Sequence, residues 1–132
     1  MDRNYTYRIL QCLYEVHSEL GPGLLESIYE EAAAKELTAQ GFRVERQVQV
    51  PVMYKGERLA NDLRLDLIVD DTVILELKSV AEHRKLFEKQ LYTYLVLKDC
   101  EMGYVVNFNE ESLRDGIYPV YNSRYGRGEN NG

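Results

Sequence analysis

Cysteine is scarce in this sequence, and long apolar runs are missing from it. The 132 residues include two cysteines, Cys12 and Cys100, far apart and without a neighbouring histidine pair. That spacing fits neither a disulfide framework nor a zinc site, so a reducing compartment, the cytoplasm, is expected. No apolar run has membrane length, and the first residues do not resemble a signal peptide. We therefore expect a soluble protein without a membrane partner.

Basic residues are also few. Sixteen lysines and arginines stand against 22 acidic residues, which gives a net charge of -6. A protein that attaches broadly to nucleic acid or anionic lipid usually has a basic excess, so any phosphate-bearing partner must be met locally. The densest basic stretch runs from Lys78 to Lys98, with five basic and two acidic residues. This stretch could contact a phosphate backbone, or it could be an ordinary solvated helix face.

The composition, 45% hydrophobic and 29% charged, predicts one globular domain. No repeat or low-complexity segment interrupts the chain. We place the domain at residues 1–122 and expect a polar, flexible tail at residues 123–132, because "YGRGENNG" is rich in glycine and lacks periodicity.

Hydrophobic periodicity predicts the order of the elements. Helical spacing covers Tyr5 to Leu20 and about Leu24 to Ala39, with "GPG" between them. Alternation predicts strands in "VERQVQVPVMY", "LRLDLIV" and "TVILELKSV", and all the odd-numbered residues of "LRLDLIV" are expected on one face. A helix from about Ala81 to Lys98 and a buried strand "MGYVVNF" follow, which implies a parallel crossover. The predicted fold is α/β (α+β): two N-terminal helices, a three-stranded meander, a helix and a strand, with helices flanking a mixed β-sheet.

Chemically active side chains concentrate in the second and third predicted strands. Glu76 and Lys78 are two residues apart, so they share one face. The position of Asp66 depends on the connecting loop, because one residue of register reverses every side chain. A two-residue turn would place Asp66 across from Leu75. A three-residue loop, Asp70 to Thr72, would place Asp66 across from Glu76. We predict the three-residue loop, because such loops are common in hairpins and this one brings the two carboxylates together.

Two facing carboxylates and an ammonium are suited to a metal-dependent phosphodiester hydrolase. Carboxylate oxygens bind a hard cation such as Mg²⁺, which keeps several waters and bridges to phosphate. A neighbouring lysine can orient the attacking water or stabilise the developing negative charge. The alternative interpretation is an exposed hairpin face on which Glu76 and Lys78 form an ion pair, worth about 0 to 1 kcal/mol.

Several motifs in this sequence resemble one known family. "GLLESIY" carries G-x-x-E-x-x-Y at Gly23, Glu26 and Tyr29. "RVERQVQVPVMYKGERL", "DLIVDDTVILELKSV", "KQLYTYL" and "NFNEESLRDGI" follow in the family's order. The chain thus resembles the GxxExxY family within the PD-(D/E)XK nuclease superfamily. The resemblance implies a restriction-endonuclease-like core and a Mg²⁺- or Mn²⁺-dependent nuclease that acts on nucleic acid, on DNA more than on RNA.

The resemblance also implies a set of site residues. Asp66 and Glu76 would hold the metal, and Lys78 would assist the attacking water. Glu26, which by its position alone could be a first-turn acid favoured by the helix dipole, would be a further acidic ligand.

Other residues would support this site. Gln90 and Tyr94 resemble the superfamily's Q-x-x-x-Y element, and Tyr29 belongs to the family motif. By periodicity alone, Gln90 could simply flank the apolar stripe of its helix, and Tyr94 could be a core aromatic. The chain departs from the pattern at Leu65, where the superfamily has proline, and at Phe87, where the family often has histidine.

Two other functions are also compatible with the sequence. Low basicity and small size favour a binding or regulatory module that keeps the nuclease fold without cleaving nucleic acid. A scaffold that forms a homodimer through an edge strand and some of the eleven tyrosines is the other alternative.

Overall fold

Three helices frame the structure, a computed structural model that describes residues 1–126. They are α1 (Arg3–Leu20), α2 (Glu26–Ala39) and α3 (Lys85–Lys98). The Asp2 side chain caps α1 by accepting a hydrogen bond from the backbone N–H of Asn4, and α1 ends at Gly21, whose φ of 71° suits glycine. The predictions for the first two helices are confirmed. Part of the predicted tail, residues 127–132, lies outside the described residues.

The third helix begins four residues later than expected. Val80 lies in the segment before α3, where its backbone N–H and carbonyl both bond to the side chain of Asn107. These backbone groups are therefore held by the end of a neighbouring strand, and the helix starts only at Lys85.

Within residues 1–126, seven strands form two sheets. They are β1 (Val44–Val50), β2 (Met53–Tyr54), β3 (Glu57–Arg58), β4 (Leu63–Val69), β5 (Val73–Lys78), β6 (Met102–Asn107) and β7 (Ile117–Tyr121). The main sheet has the order β1-β4-β5-β6-β7, and β2 and β3 form a separate hairpin. Strands β5 and β6 are parallel, joined by α3, and the other neighbours are antiparallel. The mixed sheet and the parallel crossover are therefore confirmed.

Two features of the sheet differ from the sequence prediction. The first predicted strand stops at Val50, because Pro51 has no N–H for a ladder, and the chain then forms the β2-β3 hairpin. The last strand, β7, was not predicted. It is short, contains Pro119 and lies at the sheet edge, where proline is tolerated.

Helices cover both faces of the sheet. Helices α1 and α2 pack on one face, over a core that includes Tyr29, Leu67 and Leu75. Helix α3 packs on the opposite face, over a core that includes Leu91 and Ile74. Residue Glu76 follows Ile74 by two positions on β5, so it points toward the α3 side.

The alternation of side chains in β4 is not continuous. Leu67 and Val69 pack in the core under α1 and α2, as expected for one face. Leu65, however, packs in the core under α3. The expectation that all the odd-numbered residues of this strand share a face is therefore wrong, and the phase of the strand reverses at Asp66.

Candidate active site

The loop between β4 and β5 sets the register of the candidate site. Val69 pairs with Val73, so the connection has three residues, and this prediction is confirmed. Asp70 and Asp71 both have positive φ, 51° and 55°, a conformation that aspartate tolerates better than most residues. Their presence allows this tight loop, and the resulting register brings Asp66 to the level of Glu76.

Strands β4 and β5 separate at this level. Their last paired residues are Leu67 and Leu75, although each strand continues further with its other neighbour. In the gap, the backbone N–H of Asp66 donates to Glu76 Oε2 at 2.8 Å, and the N–H of Leu77 donates to Asp66 Oδ2 at 2.8 Å. The two carboxylates thus take the places that backbone carbonyls would occupy in a continued ladder.

A cavity of about 350 Å³ opens beside the two carboxylates. Its lining residues are Leu63, Arg64, Asp66, Glu76, Lys78, Gln90, Thr93 and Tyr94. Strand β5 and helix α3 therefore bring Lys78, Gln90 and Tyr94 to the same cavity as the acidic pair. The structure gathers five of the predicted site residues in one place.

The electrostatics of the acidic pair are unfavourable without a cation. Burial, followed by the charge of Asp66, raises the pKa of Glu76 to about 8. Burial also raises the pKa of Asp66, although the hydrogen bond from Leu77 N–H opposes this change. Lys78 favours the charged form of both carboxylates, but its effect is smaller than that of burial. The positive charge near Asp66 and Glu76 is therefore too small to offset the cost of ionising both buried carboxylates.

Lys78 has a defined neighbour on α3. Its Nζ lies 4.6 Å from the centre of the Phe87 ring, within the range of a cation–π interaction. Phe87 is the residue at which the resemblance noted in the sequence leads one to expect histidine. The aromatic ring therefore restrains the ammonium group and offers no proton-transfer group of its own.

Glu26 is the first residue of α2 and is exposed to solvent. Its charge contributes to the raised pKa of Glu76, as the smallest of the five causes. Within residues 1–126, no three or more aspartate, glutamate, histidine or cysteine side chains are grouped so as to hold a metal ion. The role of Glu26 as a third ligand stays a prediction.

Tyr29 supports the site from a distance. Its buried hydroxyl donates to the Gly21 carbonyl at 2.5 Å and accepts the Leu24 N–H at 3.1 Å. The Leu24 carbonyl in turn accepts a hydrogen bond from Ser79 Oγ, directly after Lys78 on β5, at 2.6 Å. Tyr29 therefore fixes the turn before α2, and this turn is fastened to the residue that follows β5, so the start of α2, where Glu26 lies, is held beside the end of that strand.

The residues present fit a hard divalent cation. Both carboxylates have raised pKa values, and a nearby positive charge would lower them. Mg²⁺ is commonly bound by one or two carboxylates, with water and substrate phosphate completing its coordination. Asp66 and Glu76 together provide such a donor set.

Two polar residues near Asp66 were not predicted from the sequence. Glu30, on α2, is only 9% exposed, and Gln47, on β1, donates a hydrogen bond to it. The spacing of Glu26 and Glu30, four residues on one helix face, could have indicated Glu30. No pattern indicated Gln47, which lies between alternating valines and looks like an exposed strand residue.

Comparison with known proteins agrees with this geometry. A sequence model of the PD-(D/E)XK nuclease superfamily matches residues 3–120. No curated protein and no solved structure matches the chain. No helix among the described residues has both the length and the apolar character needed to cross a membrane. The three helices and the mixed five-stranded sheet are consistent with a restriction-endonuclease-like core. Since the match covers most of its length, the chain belongs to the PD-(D/E)XK nuclease superfamily.

Proposed function

We propose that this protein is a nuclease that hydrolyses phosphodiester bonds of nucleic acid, DNA more than RNA, with Mg²⁺ or Mn²⁺. Membership of the superfamily suggests nuclease activity. The observation that carries the proposal is the Asp66–Glu76 pair at the separation of β4 and β5, on the wall of a cavity that Lys78 shares. We also propose the narrower assignment to the GxxExxY family, which the motif at Gly23, Glu26 and Tyr29 supports.

The acidic residues would hold the cation. Asp66 and Glu76 would be the principal ligands, with Glu26 approaching from the start of α2. A bound divalent cation lowers the pKa of a coordinated water and neutralises charge on the phosphate. The backbone donors to both carboxylates keep their oxygens fixed, so the ligands need little reorganisation when the substrate arrives.

Other side chains of the cavity would act on the substrate. The Lys78 ammonium, restrained by the Phe87 ring, would orient the attacking water or stabilise the charge that develops on the phosphate oxygens. Gln90 and Tyr94, which share the cavity wall, offer an amide and a hydroxyl as hydrogen-bond donors. These three residues therefore supply donors to a phosphate group beside the acidic pair.

Basic residues in and around the cavity would guide the nucleic acid. Arg64 lines the cavity itself, and Lys85 and Lys89 are exposed on the first turns of α3. Their charges offset the acidic character of the whole chain at this location, which a phosphate backbone requires.

A cleavage assay tests the proposal. The purified protein is incubated with Mn²⁺ or Mg²⁺ and labelled single-stranded DNA, double-stranded DNA and RNA. Asp66→Asn should abolish cleavage, whereas Asp71→Asn, in the β4-β5 loop, should cleave as the wild type does. Asparagine tolerates the positive φ of position 71, so this control preserves the loop.

Binding provides a second measurement. Mn²⁺ should raise the melting temperature of the wild type and of Asp71→Asn, because a ligand that binds only the folded state stabilises it, and should leave Asp66→Asn unchanged. If all three proteins are inert on every substrate and indifferent to both cations, the nuclease proposal fails. The non-catalytic binding module then becomes the better explanation.

A further inference from the structure

The backbone of β1 is unusual beside the acidic pair. Gln47 has a φ of 50°, in the left-handed region that L residues other than asparagine and aspartate rarely adopt. Its neighbours Arg46 and Val48 pair regularly with β4, but Gln47 and Asp66, which face each other between those pairs, form no ladder pair. A conformation of this kind persists where the surrounding structure requires it, and such positions concentrate at functional sites.

The reversal of side-chain phase coincides with this position in both strands. Before Gln47, Val44 packs against the core under α1 and α2, and after it, Val48 packs against the core under α3. Strand β4 reverses its phase at Asp66, as described above. In both β1 and β4, the side chains therefore change from one face of the sheet to the other at the same level, where Gln47 has left-handed backbone angles and Asp66 lies opposite it.

The side chain of Gln47 connects Asp66 to a buried acid. Its amide nitrogen lies 2.5 Å from Glu30 Oε1 and 3.4 Å from Asp66 Oδ1, so the two amide hydrogens can serve one carboxylate each. The other oxygen of Glu30 accepts a hydrogen bond from Arg46 Nε at 3.1 Å. A buried carboxylate is costly unless it is paired and hydrogen-bonded, and these two contacts hold Glu30 in place.

We propose that Gln47, anchored by Glu30, is a positioning residue that fixes the orientation of the Asp66 carboxylate. Leu77 N–H holds Oδ2 from β5, and the Gln47 amide holds Oδ1 from β1. With both oxygens restrained, the carboxylate cannot rotate away from Glu76. The effect of this restraint on metal binding rests on the proposed function, whereas the restraint itself does not depend on it.

The central test compares Gln47→Gly with Gln49→Gly. Glycine accepts a φ of 50°, so Gln47→Gly removes the amide without straining the backbone. Gln49 lies on the same strand and is exposed, so its glycine variant reports the general effect of glycine in β1. In metal-free protein, amide hydrogen exchange of Leu77 should become about 2- to 10-fold faster in Gln47→Gly, since Asp66 no longer holds its acceptor oxygen steadily. Gln49→Gly should leave that amide unchanged.

Metal affinity provides the second readout. Residues that orient a metal ligand typically change the affinity by about 10- to 100-fold when they are removed. Calorimetry should therefore show Mn²⁺ binding weaker by this factor in Gln47→Gly and unaltered in Gln49→Gly.

A second pair of variants tests the anchor and keeps the proposal testable if Gln47→Gly does not fold. Glu30→Gln keeps an oxygen that can accept from Gln47, so the Leu77 amide should stay protected. Glu30→Met removes that acceptor and should accelerate exchange as Gln47→Gly does.

The outcomes separate this proposal from the nuclease proposal. Equal Leu77 exchange in Gln47→Gly and Gln49→Gly, or in Glu30→Met and Glu30→Gln where glycine prevents folding, would overturn the positioning role. A wild type that binds no Mn²⁺ and cleaves nothing would refute the nuclease proposal alone, because the exchange comparison in metal-free protein still decides the role of Gln47.

Discussion

Asp66 and Glu76 link β4 to β5 beyond the end of their shared ladder, and each strand contributes one carboxylate and one backbone N–H to this link. Glu76 Oε2 accepts from the Asp66 N–H, and Asp66 Oδ2 accepts from the N–H of Leu77, each at 2.8 Å. The two acids are therefore fixed close together in a partly dry environment. Burial raises the pKa of both carboxylates. The charge of Asp66 adds to this effect at Glu76, whose pKa rises to about 8, and the charge of Glu30 adds to it at Asp66.

The raised pKa of Glu76 predicts how stability depends on pH. Between about pH 4.5 and about pH 8, the metal-free folded protein keeps a proton that the unfolded chain has lost, so stability falls as pH rises. Glu76→Gln carries no such proton and should gain stability relative to the wild type across this window. Urea unfolding at about pH 5, pH 7 and pH 9 measures the difference. Exposed Glu31→Gln is the control, and a Glu76→Gln difference that does not change with pH would contradict the raised pKa.

Lys78→Met separates catalysis from metal binding. Methionine has a similar volume on the strand and lacks the charge, so the fold and the Mn²⁺ affinity should persist. Cleavage should fall by about 10²- to 10³-fold, the effect of removing a preorganised group that stabilises the transition state. Lys35→Met, on an exposed lysine of α2 that does not line the cavity, should retain the wild-type rate. If wild type and Lys78→Met are both inert and bind the same nucleic acid equally, a binding module explains the site better.

Local spacing and the resemblance to known nucleases together predicted most of the candidate site. Glu76 and Lys78 share a face because strands have a period of two, and Gln90 and Tyr94 share a face because they are one helical turn apart. The position of Asp66 depended in addition on the length of the β4-β5 loop. The three-residue loop was predicted because it brings the two carboxylates together, and the pairing of Val69 with Val73 confirms it. These residues are set by rules that act within one or two elements.

The errors arose where tertiary contacts override local rules. Uniform alternation failed at Leu65 because the phase of β4 reverses at Asp66, opposite the left-handed Gln47, and a strand pattern carries no signal for such a reversal. Similarly, α3 starts late because Asn107, from a distant strand, binds the backbone of Val80. Glu30 looked like an ordinary helix acid because its burial depends on β1.

Glu26→Gln tests whether the helix acid takes part in metal binding. If Glu26 approaches the cation, neutralising it should weaken Mn²⁺ affinity several-fold without changing the fold, because the residue is exposed. Glu31→Gln, an exposed acid on the same helix, controls for the loss of one negative charge. Calorimetry in which both variants bind Mn²⁺ as the wild type does would leave Glu26 as a first-turn acid that favours the helix dipole.

Tyr29→Phe tests the turn that leads into α2. The ring should keep its stacking on Phe108, whose centre lies 4.4 Å away, but the Gly21 carbonyl and the Leu24 N–H lose their partner. Leaving partly buried polar groups unpaired costs about 1 to 3 kcal/mol, so the free energy of unfolding should fall by about that amount in urea titrations. Tyr7→Phe, at a tyrosine that is 58% exposed on α1, should be nearly neutral.

The same variant should also affect the site through Glu26. If the turn positions Glu26, Tyr29→Phe should weaken Mn²⁺ binding. In the double variant Glu26→Gln/Tyr29→Phe, the two losses of Mn²⁺ affinity should not add, because Glu26→Gln then removes a ligand that Tyr29→Phe has already displaced. Fully additive losses would mean that Tyr29 and Glu26 act independently. A Tyr29→Phe protein as stable as Tyr7→Phe would show that the hydroxyl does not hold the turn, and the inferred link from Tyr29 to Glu26 would then be wrong.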